Sequence, residues 1–172
     1  DERDLDEIAF VDAQVGRILA AVGPGALVAV VADHGEALGD HGEETHGLLL
    51  YQPTLRVPLL VQGPGIRAGT VVERAVGLAD LAPTRASLAG SSREADGRDL
   101  SAAPRSGEEP PSADVYSETE YPRLFGWAGM AALRRGAREH IASPRAETFG
   151  LGQDPDEKAD LGRDAGLGAA NA

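Results

Sequence analysis

The chain has 172 residues, a formal net charge of −12 and no cysteine. Disulfides, thiolate metal sites and a cysteine nucleophile are thereby excluded within these residues, and the acidic balance argues against a nucleic-acid partner, whose phosphates it would repel. The length suffices for one domain with a real core, and no apolar run approaches the roughly 20 residues of a membrane-crossing helix.

Leu5, Ile8, Val11, Val15, Ile18, Leu19 and Val22 recur at three- and four-residue steps and predict an amphipathic helix. Asp1, Glu2, Asp4 and Asp6 cluster at its start, where the helix dipole favours acids, and Gly23-Pro24-Gly25 stops it. Asp1 already falls within this pattern, so the sequence reads as a piece of a longer chain. Leu27 to Ala32 is a continuous apolar run of the kind found in a buried parallel strand. Glu36 to Leu50 follows as a polar, glycine-rich loop, and Val57 to Val61 is a second apolar strand closed by Gly63-Pro64-Gly65. Asp80 is placed to cap a short helix that runs to Leu88, with Pro83 in its first turn.

Ser91 to Ser112 is rich in Ser, Gly, Pro and acids and reads as surface loop. Short strand-like pieces come next, at Asp114 to Ser117, Met130 to Leu133, Glu139 to Ala142 and Glu147 to Leu151. The tail from Gly162 onward reads as mobile. The expected fold is α/β: part of a mostly parallel sheet flanked by helices, with a small C-terminal subdomain of antiparallel strands. Its expected divisions are residues 1–103, a linker at 104–113 and the subdomain with its tail at 114–172.

The chemistry concentrates where the first strand ends. Val30-Val31-Ala32 runs into Asp33-His34-Gly35, and a further histidine, His46, returns in Thr45-His46-Gly47. Asp and His side chains are good ligands for divalent ions, and strand ends are where an α/β sheet puts its chemistry. In an extended strand two adjacent side chains point to opposite faces; a sharp turn at Gly35 would aim both at one ion. The alternative is a plain turn, with Asp33 bonded to backbone amides and His34 exposed. His46 is either a second metal ligand, a donor to an anionic ester oxygen, or a local cap. His41 reads as a solvated loop residue and His140 as structural. Ser117 to Glu120 reads as an exposed acidic loop or a pocket rim.

These residues carry a family resemblance. Asp33-His34-Gly35-Glu36, Leu38-Gly39, His41-Gly42, Thr45-His46-Gly47, Tyr51, Pro53 and Arg56-Val57-Pro58-Leu59 resemble the C-terminal half of a sulfatase catalytic domain, in the alkaline phosphatase superfamily. Gly63-Pro64-Gly65, Asp80 to Thr84, Leu133 to Gly136 and the Asp154-Pro155-Asp156-Glu157 turn extend the likeness over nearly the whole chain. The resemblance implies hydrolysis of a sulfate monoester, on a small molecule or a glycan. It implies that Asp33 and His34 bind a divalent metal, calcium by family habit, with Mn, Mg or Zn as alternatives because calcium rarely takes imidazole. It implies that His46 contacts the substrate or a second metal. The family's Cys/Ser-x-Pro-Ser-Arg nucleophile motif does not occur in these residues. The nucleophile is thus expected in an N-terminal half of the same domain, and the chain alone is expected to be inactive. If that half is missing, the first strand should show an uncovered apolar face. Two other readings remain: a phosphoryl-group hydrolase or phosphoethanolamine-type transferase of the same superfamily, and a non-catalytic remnant that binds metal or a partner.

Overall fold

The computed structural model describes residues 2–162. The tail expected to be mobile lies almost wholly outside the described residues. The chain opens with helix α1 (Glu2–Val22), then strand β1 (Val28–Val31). The loop after β1 leads through a one-turn helix α2 (Gln52–Leu55) into β2 (Leu59–Gln62). Helices α3 (Leu81–Leu88) and α4 (Ala102–Ser106) follow, then strands β3 (Val115–Thr119), β4 (Met130–Arg135), β5 (Arg138–Ala142) and β6 (Glu147–Gly150).

Among the described residues the strands form two sheets. One is a β1–β2 ribbon, the other a meander ordered β3-β4-β5-β6. The expected parallel pairing does not occur in the ribbon: Val28 lies opposite Gln62 and Val31 opposite Leu59, so β1 and β2 run antiparallel. The connection from residue 32 to 58 leaves and rejoins the ribbon at the same end, and a strand that returns that way must run backwards. A parallel neighbour needs a crossover to the far end. The C-terminal strands are antiparallel throughout, as expected of the C-terminal subdomain.

The two sheets differ in what they bury. Leu50, Ala132, Ile141 and Phe149 form a buried cluster on the four-stranded sheet, with Tyr51, Leu55, Met130 and Leu151 packed against it. In the N-terminal part, Leu5, Ile8, Phe10, Val11 and Ile18 of α1 are exposed, as are Val30, Leu59 and Leu60 of the ribbon. Within β1 the adjacent Ala29 and Val30 are exposed, and Val28 and Val31 are half-buried.

Polar groups fix α2 on the C-terminal sheet. Glu157 Oε2 accepts the Gln52 backbone N–H at 2.6 Å, Gln52 Nε2 donates to Glu139 at 2.8 Å, and Arg134 donates to Gln52 Oε1 at 3.0 Å. Asp80 holds the segments beyond β2. It stands at the start of α3, but its carboxylate does not cap that helix. It accepts instead from the backbone of Gly77 and Arg98 and from the Arg98 guanidinium at 2.6 Å. Burial pushes this carboxyl up, and the Arg98 and Gly77 bonds outweigh it, holding the group below the usual carboxylate range. The stretch read as loop contains α4 and is tied back by Glu109, which accepts the backbone N–H groups of Glu73 and Arg74.

Candidate active site

The site is built by the loop that leaves β1. At its start Gly35 passes so close to α2 that a Cβ there would meet the Pro53 carbonyl oxygen at 2.0 Å, and the Gly35 N–H donates to Thr54 O at 2.8 Å. Only glycine fits this approach. The loop then closes on itself. Ala37 N donates to Thr45 O at 2.9 Å and Gly39 N to Glu43 O at 2.8 Å. The buried Glu43 carboxylate accepts the N–H groups of Leu48 and Leu49, and Leu50 plugs into the core. Each of these bonds satisfies a backbone group that a loop would otherwise leave to water.

Closure carries His46 back to the end of β1. Its ring stacks on His34, with centroids 3.9 Å apart and planes 26° apart. The Asp33 and His34 side chains do not diverge: His34 Nε2 lies 3.8 Å from Asp33 Oδ2. His34 Nδ1 is 2.9 Å from the Gly35 carbonyl oxygen, so as a donor there it leaves Nε2 with a free lone pair beside the Asp33 carboxylate. His46 Nδ1 lies 3.0 Å from Glu36 Oε2. Asp33, His34, Glu36 and His46 are all exposed to solvent.

The three residues singled out from the sequence thus stand together. Glu36, which orients His46, and Glu43, which shapes the loop, received no role in the sequence reading. Glu36 sits in the Asp-His-Gly-Glu block and so lay next to a visible signal, whereas nothing in the sequence around Glu43 marks it. His41 is exposed, as expected, and its ring also stacks on Tyr51 at 3.7 Å. His140 bonds Thr148 within the sheet. Ser117 to Thr119 lie in β3, and Thr119 Oγ1 donates to Gly47 O at 2.6 Å, which ties the C-terminal sheet to the residue after His46.

The donor set suits a divalent ion. A hard anionic oxygen and a free imidazole nitrogen 3.8 Å apart can both reach one ion through bonds of about 2.0–2.2 Å. They fit as part of a ligand set: among the described residues no group of three or more His, Asp and Glu side chains converges for a metal. A cavity of about 720 Å³ opens elsewhere, lined by His41, Tyr51, Gln52, Arg56, Glu147 and Glu157 among others, and by none of Asp33, His34 and His46. Some of its polar groups bond around α2: Tyr51 Oη donates to Glu147 at 2.7 Å, and Glu157 accepts the Gln52 backbone N–H. Burial, then the Glu147 bond, pushes the Tyr51 phenol up.

A family model described as Sulfatase matches residues 2–91, more than half of the chain. The chain belongs to the sulfatase family. Among its relatives, arylsulfatase K of Bos taurus is 28% identical over 170 residues, covering 89% of this chain and 31% of that protein. The delta 4,5-hexuronate-2-O-sulfatase of Bacteroides thetaiotaomicron is 27% identical over 169 residues, covering 90% of this chain and 35% of that protein. Among solved structures, the phosphonate monoester hydrolase of Agrobacterium radiobacter superposes with a TM-score of 0.72 at 27% identity, covering 92% of this chain and 36% of that one. The chain spans about a third of the length of these relatives.

Proposed function

We propose that this sulfatase-family chain supplies the metal-binding and proton-donating side of an active site that hydrolyses sulfate monoesters. The observation that carries the reading is the convergence of Asp33, His34 and His46 at the end of β1, with the two imidazoles stacked 3.9 Å apart. Asp33 and His34 are the ligands this chain offers to a divalent ion, calcium by family resemblance, with Mn, Mg or Zn as alternatives; the imidazole suits Zn or Mn better than Ca or Mg. When bound, that ion supplies charge stabilisation for the ester oxygens. His34 is oriented for this by its Nδ1 contact with Gly35. His46 donates its Nδ1–H to Glu36, and in its doubly protonated form its other nitrogen carries the proton that would pass to the leaving oxygen.

The remaining ligands and the nucleophile belong, in this reading, to another part of the same domain. The exposed apolar residues of α1 and of the β1–β2 ribbon support that: they form a surface such a part would cover, with the ribbon as one margin of a larger α/β sheet. The likeness to a phosphonate monoester hydrolase supports a second substrate class, phosphorus monoesters, at the same site.

The test uses the full-length protein, stripped of metal and supplied with Ca, Mg, Mn or Zn, against an aryl sulfate and an aryl phosphonate. His46→Ala should lower turnover by about 10²- to 10⁴-fold, and Asp33→Ala and His34→Ala should each weaken calorimetric metal binding. An unchanged rate in His46→Ala removes it from the mechanism. Metal-dependent turnover by the 172 residues alone, abolished by Asp33→Ala, would overturn the division of the site between two parts of the domain.

A further inference from the structure

The turn that carries Asp33 and His34 is steered through one glycine. The Gly35 N–H donates to Thr54 O of α2 at 2.8 Å, and the Gly35 carbonyl oxygen lies 2.9 Å from His34 Nδ1. A carbonyl oxygen only accepts, so the ring proton sits on Nδ1 and Nε2 keeps its lone pair, 3.8 Å from Asp33 Oδ2. Where α2 stands therefore decides where Gly35 stands, and Gly35 decides which nitrogen of His34 is free. A Cβ at Gly35 would overlap Pro53 O, so the contact leaves no slack.

Helix α2 does not hold itself. It has four residues and no side-chain cap at its start, and a single turn is unstable in water on its own. Tyr51 and Leu55 pack on the C-terminal core, but apolar contact is non-directional. Direction comes from Gln52. Its backbone N–H is accepted by Glu157, its Nε2 donates to Glu139 of β5, and its Oε1 accepts from Arg134 of β4. Gln52, Glu139 and Glu157 are all buried, where such bonds are stronger than in water. Without the Gln52 side chain Glu139 would lose a donor and Arg134 an acceptor. Buried groups stripped of partners are costly, and a shift of α2 to relieve them would carry Thr54 O away from Gly35.

We propose that Gln52 is a positioning residue for His34: its bonds to Arg134, Glu139 and Glu157 set α2, and through Thr54 O and Gly35 they keep the His34 Nε2 lone pair free for a divalent ion. This rests on the metal reading of Asp33 and His34. In this role Gln52 acts through the backbone and touches neither ion nor ester.

The test uses the full-length protein with isotope-labelled histidine, metal-free for NMR and titrated with Mn or Zn alone for calorimetry. The His34 ring signals are those lost in His34→Gln. Gln52→Met fills the same space without the bonds to Glu139 and Arg134. It should weaken Mn and Zn binding by about 10- to 100-fold, the usual cost of losing a partner that orients a ligand. In the metal-free protein it should turn His34 from the Nδ1-protonated tautomer into a mixture of both. Asp80→Asn disturbs the buried Asp80–Arg98 pair and none of these bonds, so it controls for lost stability and should leave both readouts unchanged. Equal readouts in Gln52→Met and Asp80→Asn overturn the proposal. If Gln52→Met does not fold, Gln52→Glu takes its place: it keeps an oxygen for Arg134 and breaks only the bond to Glu139. A tautomer and metal affinity unchanged from wild type overturn the proposal there too. Metal binding that is the same in wild type and Asp33→Ala sinks the metal reading. The His34 tautomer in the Gln52 variant then decides the link by itself, a mixture keeping it and an unchanged ring overturning it.

Discussion

The C-terminal sheet and the N-terminal helix with its ribbon are made of similar apolar residues and reach opposite ends. Ile141 is 0% and Phe149 2% exposed, whereas Ile8 of α1 and Leu60 of β2 are each 64% exposed. In the C-terminal sheet β4 and β5 are paired on both edges, and the sheet has a covering layer in Leu50, Tyr51 and Leu55. The ribbon has only itself, and two strands alone are marginal in water. One part of the chain encloses an apolar core, and the other leaves its apolar residues exposed among the described residues. The candidate site lies on the loop between β1 and β2, whose Tyr51 and Leu55 pack on the C-terminal sheet.

This contrast breaks or sharpens under substitution. The largest effect is expected in the sheet: Phe149→Ala should cost about 3–5 kcal/mol in denaturant unfolding, because the ring is lost from a closed core. A cost below about 1 kcal/mol would mean that this core is no tighter than the ribbon. The next effect is a slope. Two buried carboxyls, Glu139 and Glu157, meet at Gln52, and Glu157 Oε1 has no partner unless Glu157 keeps a proton and shares it with Glu139. Burial, reinforced by Glu139 against the lowering pull of the Gln52 amide, pushes the Glu157 carboxyl from its ordinary 4.5 up to about 8. The unfolded chain therefore releases this proton near pH 4.5 while the folded one keeps it. Stability should fall as pH rises from about 4.5 to about 8 and then level off. Glu157→Gln should flatten that slope, and an unchanged slope would show that the pair does not hold the proton. The smallest effect is expected on α1, where Ile8→Ala in this chain should change stability by no more than about 0.5 kcal/mol. A much larger loss would show that α1 already packs within these residues.

The sequence made the parts legible where pattern decides. The periodicity of α1, the apolar runs of β1 and β2, the start of α3 and the short C-terminal strand pieces all match the elements found. The sequence marked His46 beside Asp33 and His34 as a candidate, and the structure stacks its ring on His34. Three things were hidden. Strand direction is a property of the pair, so nothing inside β1 or β2 marks them as antiparallel neighbours. Helix α4 sits in a loop-like composition and contains Pro104, which a first helical turn tolerates. Glu43, Glu139 and Glu157 are acids that sequence reasoning sends to the surface, yet each is buried because backbone N–H groups or side-chain amides await it.

The close passage of Gly35 over α2 has a consequence for recombining this protein with its relatives. Residue 35 is bonded to residue 54, and residue 52 is bonded to residues 139 and 157, so the geometry of the Asp33–His34 turn is inherited jointly from three distant stretches of chain. A chimera joined anywhere between α2 and β3 would divide that inheritance between two parents. Exchanging the C-terminal sheet to borrow a relative's specificity should therefore succeed only when residues 50–55 travel with it.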